Sequence, residues 1–330
     1  IFSKKNNNQK KIFIFILLSF VLFRVNRYSD FGNDAPANLI FFYLIIEAIK
    51  DTEIFLKLKK TIFASTFIFL NKVTLLLGFL IPIFFIFRDF KINKLINKIS
   101  IFSLLFLILY SGKNILVSGC IIFPIEQTCI KKIFWYDKDS HRSSNAINAR
   151  LENESWTKGW MDQRSDRKNY TDYLKDFVWV KTWLHSEGKR IVKKLTPFIT
   201  FLSILLIFLF VFERKSKIIK TSKSKLTYEY YLCFVVSILG SLLWFLKFPL
   251  FRYGYGYLIT LISFILIFNI NNFKIFFNDD LIVKSLKYLI IFLILGISLK
   301  NINRINIGLK NGTYIWPNIY NSNMSYKKKD

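Results

Sequence analysis

The sequence predicts an all-α fold: a polytopic transmembrane helical bundle of about nine helices with a mixed extracytoplasmic loop region. The chain of 330 residues is 53% hydrophobic and 18% aromatic, yet its formal net charge is +27. Its mean hydropathy is +0.34. The apolar residues lie in blocks, and most lysines lie in short clusters between the blocks. A soluble domain does not reconcile those numbers, whereas a multi-pass membrane protein with basic cytoplasmic loops does. The same distribution argues against nucleic-acid binding, because the positive charge forms no stripe on one soluble face.

At the start, Lys4, Lys5, Lys10 and Lys11 precede the apolar run Ile12–Phe23, as in a signal peptide. Arg24-Val25-Asn26-Arg27 follows where a small-residue cleavage site would stand, so the segment reads as an uncleaved anchor. The chain begins at Ile1, which suits a fragment or a processed product. On the ruler of about 20 residues per span, with shorter variants, the expected membrane segments are 12–25, 37–49, 61–71, 73–87, 99–117, 196–213, 228–247, 256–270 and 284–299. The pair 61–71 and 73–87 meets at Asn71-Lys72, either as a tight hairpin or as one long bent helix.

Positive residues set the orientation. A cytoplasmic N-terminus places the cationic stretches Lys50–Lys60, Arg88–Lys98, Arg214–Lys225 and Lys274–Lys287 inside. It places 26–36, 118–195, 248–255 and the C-terminal tail outside. The expected organisation is N-terminal membrane helices (1–117), an extracytoplasmic loop region (118–195), C-terminal membrane helices (196–299) and an extracytoplasmic tail (300–330). The expected location is a bacterial cytoplasmic membrane.

Cys233 lies in an apolar run and reads as a packing residue. Cys120 and Cys129 flank a segment placed outside; a disulfide there suits an oxidising compartment, and two free thiols are the alternative. His141 and His185 lack ligand-spaced partners, so there is no metal signature. No Walker loop, dinucleotide fingerprint or nucleophile elbow is present.

Four segments hold residues suited to chemistry. In Tyr28–Asn38, Asp34 stands just before Pro36 at a helix start, either as an N-cap or as a base or sugar-binding carboxylate. Asp30 lies in the same segment. In Tyr110–Pro124, Lys113 and Asn114 sit near the end of an apolar helix, where a lysine either holds a lipid phosphate or snorkels to the interface. In Lys247–Tyr257, Arg252 suits bidentate contact with phosphate, and Tyr253 and Tyr255 offer faces to a sugar. Gly254 and Gly256 there let a backbone approach a ligand, and an interfacial aromatic belt is the alternative. The loop 118–195 gathers Trp135, Glu152, Glu154, Trp156, Trp160, Asp162, Trp179 and Trp183, a set suited either to carbohydrate or to packing on a membrane surface. Lys72 reads as a turn residue or as a buried pairing partner.

At these places the chain resembles the bacterial multi-pass GT-C-like membrane glycosyltransferase superfamily, and within it a branch associated with surface-polysaccharide biosynthesis. Asp34-Ala35-Pro36 is similar to the Asp-x-Pro outer-loop pattern of that superfamily. Phe69-Leu70-Asn71-Lys72-Val73-Thr74, with the apolar run ending near Pro82, looks like its Thr/Asn-Lys hairpin. Lys113-Asn114 with Ser118–Pro124, Thr128-Cys129 and Trp135 is similar to a further segment of the branch. Phe251–Gly256 looks like its Arg-Phe/Tyr-Gly loop. The set spans residues 28–257, and its order and spacing carry more weight than any member.

The resemblance implies a membrane glycosyltransferase of the cell envelope, moving a sugar from a polyprenyl-phosphate donor to a glycan or lipid acceptor outside. It implies membrane lipid and the lipid-linked sugar as partners, and names no cofactor. A carboxylate in the first outer loop acts as base in such enzymes. If 26–36 is that loop, Asp30 or Asp34 is the candidate. If Asp34 matches the later Asp-x-Pro loop, the first helices and the catalytic loop precede Ile1. Arg252 and Lys113 are the expected phosphate ligands. A surface-polysaccharide polymerase and a transporter or flippase component are the alternatives.

Overall fold

In a long apolar run with no water at hand, a helix satisfies every backbone donor and acceptor within the segment itself. The computed structural model describes residues 7–24, 34–88, 97–138, 145–160, 170–215, 227–272 and 279–310, and the regular elements among them are all helical. They are α1 (Asn7–Arg24), α2 (Asp34–Ile49), α3 (Ile54–Asn71), a 3-10 segment (Val73–Phe79), α4 (Leu80–Arg88) and α5 (Lys98–Ser118). There follow α6 (Ala146–Thr157), α7 (Tyr170–Tyr173), α8 (Trp179–Trp183), α9 (Lys189–Lys215), α10 (Tyr228–Lys247), α11 (Phe251–Asn272) and α12 (Asp279–Lys310). Three stretches, Lys98–Ser118, Tyr228–Lys247 and Phe251–Asn269, are long and apolar enough to cross a membrane.

Short links make neighbours antiparallel. Lys50–Glu53 joins α2 to α3, and Phe248–Leu250 joins α10 to α11. The junction at Lys72 is a hairpin. Lys72 is extended (φ −152°, ψ 99°) and ends α3 by donating its N–H to Ile68 O. The chain then returns through the 3-10 segment and α4, so that Arg88 reaches Glu229, the residue that Lys57 near the start of α3 also pairs with.

Aromatic side chains fill the space between helices. Phe20 of α1 meets Phe198 of α9 and Tyr255 of α11 at centroid distances of 5.2 and 5.5 Å. Phe41 of α2 meets Tyr257 of α11 edge-on at 4.8 Å. The Tyr257 ring also lies against Gly240 of α10, where an added Cβ would come within 2.2 Å of it. Ser237 and Thr260 join α10 to α11 by a buried hydrogen bond of 2.9 Å. Small and hydroxyl residues at a helix contact bring backbones close, a common device where apolar side chains face lipid.

The chain divides into two compact units, residues 1–278 and 279–330. In the second, α12 is one helix of 32 residues, about 48 Å at 1.5 Å per residue. It runs through the boundary expected at 299/300. The expected outer loop 248–255 is likewise shorter than its sequence implies, because α11 starts at Phe251. The region 118–195 carries α6, α7 and α8 as well as the start of α9.

Candidate functional site

The first residue of α2 and the second of α11 meet. Asp34 opens α2, and its buried carboxylate lies between two cations. Lys72 forms an ion pair with Asp34 Oδ1, and Arg252 Nε stands 3.6 Å from Oδ2. Arg252 Nε is buried and makes no hydrogen bond among the described residues. One carboxylate against two cations leaves a formal surplus of one positive charge. The N-termini of α2 and α11, both at this point, add to the positive potential.

Aromatic faces line the same place. Lys72 Nζ lies 3.6 Å from the centroid of the Tyr253 ring. The Arg252 guanidinium lies 4.9 Å from the Tyr253 centroid and 6.0 Å from that of Trp156, and its Nη2 donates to the Tyr253 hydroxyl at 3.0 Å. Burial pushes the Lys72 ammonium below the ordinary lysine value, partly offset by the Asp34 carboxylate.

Asn38, one turn into α2, sets the register of the two helices. Its amide donates to Asp34 O (2.8 Å) and to Arg252 O (3.2 Å), and its Oδ1 accepts from Gly256 N (2.8 Å). Thr74, after the hairpin, donates to Tyr253 O at 3.2 Å and so ties the Lys72 turn to α11.

A cap of helices from the 145–188 region is bound to the same end of α10 and α11. Glu154 of α6 accepts from Lys158 (2.7 Å) and pairs with Lys247 at the end of α10 (3.7 Å). Lys158 Nζ sits 4.4 Å from the Trp179 centroid, and Tyr173 donates to Lys158 O at 3.0 Å. Trp183 and Trp244 donate their indole N–H groups to Pro249 O and Leu250 O, both at 2.7 Å. These bonds fix the link that leads into Arg252.

Of the expected site residues, Asp34, Arg252 and Tyr253 come together. Lys72 joins them as Asp34's partner. Tyr255 does not: it is buried against Phe20, Phe42 and Phe251. Its separation from Tyr253 by two helical residues turns it about 200° away. Gly254 and Gly256 serve packing: an added Cβ would lie 2.2 Å from the Trp244 ring and 2.6 Å from Asn38 Oδ1, respectively. Asp30 lies outside the described residues.

Lys113 and Asn114 form a different structure. Lys113 is exposed on α5. Asn114 Nδ2 donates to Ile121 O at 3.2 Å, which draws the following hairpin back onto the helix end. Cys120 and Cys129 are disulfide-bonded across that hairpin. Gly119 turns the chain at φ 73°, a left-handed conformation suited to glycine, with the Tyr136 ring packed beside it. Among the described residues, no group of three or more His, Cys, Asp or Glu is arranged to hold a metal.

Among the described residues the regular elements are all helical, three of the helices are long and apolar enough to cross a membrane, and a cationic, aromatic-lined cluster stands at one end of the bundle. The chain belongs to the family described as Domain of unknown function (DUF8201), whose model matches residues 1–259 and so includes every residue of the cluster. Comparison with curated proteins and with solved structures finds no match.

Proposed function

We propose that this chain is a multi-pass membrane protein with a cytoplasmic N-terminus, and that the Asp34 cluster is an extracytoplasmic site for sugar transfer from a polyprenyl phosphate. The acceptor is a surface glycan or a lipid. The observation that carries the reading is the pairing of two cations, Lys72 and Arg252, around one carboxylate, with the buried Arg252 Nε short of a hydrogen bond. Such a group favours a further anion with several acceptor oxygens, and a phosphate monoester or diester has them. The sidedness is supported by Lys10, Lys50, Lys57, Lys60 and Arg88, which gather at the opposite end of the helices.

In the proposed reaction an incoming phosphate draws Lys72 away from Asp34 and takes it and Arg252 as ligands. The freed carboxylate accepts the proton of the acceptor hydroxyl. The hydroxyl oxygen attacks the anomeric carbon, the bond from that carbon to the phosphate oxygen breaks, and the electron pair leaves on the phosphate. Lys72 and Arg252 stabilise the negative charge that develops there.

The test is transfer from a labelled polyprenyl-phosphate sugar in membranes holding the full-length protein, wild type against Asp34→Asn and Arg252→Ala. Loss in both variants, with the protein still inserted, supports the reading. Loss in Arg252→Ala alone moves the polymerase alternative forward. Wild-type membranes that transfer no lipid-linked sugar rule the reading out.

A further inference from the structure

Trp156 is a large apolar side chain left 45% exposed beside a charged cluster. It stands on α6, two residues from Glu154. That spacing turns the two side chains about 200° apart. Glu154 is buried toward Lys158 and Lys247, and this anchors α6 to the end of α10. Trp156 is then directed the other way, with its ring 6.0 Å from the Arg252 guanidinium. The helix that carries it is fixed further by the bond from Tyr173 to Lys158 O and by the packing of Lys158 on Trp179. The indole is therefore a built surface on an anchored helix.

We propose that Trp156 is the sugar platform of the site: the C–H face of a sugar joined to the phosphate stacks on the indole while Lys72 and Arg252 hold the phosphate. The inference rests on the phosphate reading given above and adds a subsite to it. An indole suits this role, since it gives a large contact area at little rotamer cost and is tolerant of a wet surround. On this arrangement Arg252 reads the phosphate and Trp156 reads the ring attached to it, so the site distinguishes a charged lipid carrier from the same carrier after its sugar has left.

The experiment uses the full chain in lipid nanodiscs and titrates two probes, polyprenyl phosphate and polyprenyl-phosphate hexose. Trp156→Ala weakens the hexose lipid by about 3- to 10-fold, the size of an aromatic stacking contact, and leaves polyprenyl phosphate binding unchanged. Trp156→Phe retains most of the hexose affinity, and Arg252→Ala weakens both probes. Unchanged polyprenyl phosphate binding shows that Trp156→Ala is folded. Equal weakening of both probes in Trp156→Ala, or no weakening of either, overturns the platform and leaves the phosphate reading standing. Wild type that binds neither probe overturns the phosphate reading, and the platform falls with it.

Discussion

Asp34 and Glu229 stand at opposite ends of the same helices, each between one lysine and one arginine, yet the two clusters differ in kind. Glu229 takes Arg88 at 2.6 Å and Lys57 at 3.6 Å, with the Arg88 side chain 39% and the Lys57 side chain 6% exposed. Asp34 takes Lys72 and, at 3.6 Å, an Arg252 whose side chain is 35% exposed and whose Nε makes no hydrogen bond among the described residues. The arginines are about equally exposed, so the difference lies in bonding: Arg88 donates directly to Glu229, whereas Arg252 Nε stops at 3.6 Å from Asp34. The aromatic faces of Tyr253 and Trp156 stand beside Arg252 in the second. On the proposed function, it is surplus charge beside an unbonded Arg252 Nε and an open aromatic face, rather than surplus charge alone, that marks the binding place.

Paired substitutions sharpen this contrast. If the proposed function holds, Asp34→Asn lowers sugar transfer by about 10²- to 10⁴-fold, the usual contribution of a general base, with a smaller loss of stability than its counterpart at the other end. Glu229→Gln costs about 3–5 kcal/mol of stability, because it leaves the buried Lys57 charge poorly compensated; denaturation in detergent micelles reads it. Equal stability losses for the two variants would erase the distinction between joint and site.

A smaller effect is expected at Gly256. An alanine there meets Asn38 Oδ1 at 2.6 Å and Phe41 at 3.2 Å, and overpacking of this kind costs about 1–3 kcal/mol. Gly112→Ala on α5, where no atom lies within 4 Å of the added carbon, is the control. Its expected change is a gain of at most about 1 kcal/mol from helix propensity. Melting temperatures of the two variants that move together would break the assignment of Gly256 to a tight helix crossing.

The subtlest test is pH. Lys72 holds its proton less tightly than an ordinary lysine, so the proposed phosphate-lipid binding is expected to decline with rising pH at a midpoint below the ordinary value of 10.5. Its effect on folding has the opposite sign. Between the lowered folded value and the unfolded value, the unfolded chain binds more protons, so the stability due to this group rises with pH across that window. Lys72→Arg, charged throughout the range, removes the decline in binding. A binding midpoint at the ordinary lysine value in the wild type would contradict the burial of Lys72.

Much of the helix layout was legible in the sequence, because apolar blocks bounded by lysines are a coarse signal that survives errors in any one residue. Asp34 and Arg252 were legible for a related reason: each is a charge at the edge of an apolar run. Which side chains face each other was less legible. α5 is apolar on nearly every face, and Ser103 is its one buried residue, so no polar stripe discloses its orientation. In a loop over 248–255 Tyr253 and Tyr255 are equivalent, and the early start of α11 at Phe251 separates them. The meeting of Lys72 with Asp34, 38 residues away, depends on the hairpin. Asn38 did leave a trace, as a lone amide one turn after Asp34 and just before an apolar run.

That amide limits how the cluster can move. Asn38 engages its own helix and α11 through both ends of a rigid, planar group, donating at one end and accepting at the other. Sliding α11 by one turn past α2, about 5.4 Å, would break both cross-helix bonds and strand buried polar atoms. The helices therefore act as a keyed frame, and the freedom to respond to a visitor falls to the lysine. Its flexible four-carbon stem is the natural moving part, so that on the proposed function the cluster is a swinging arm in a fixed doorway.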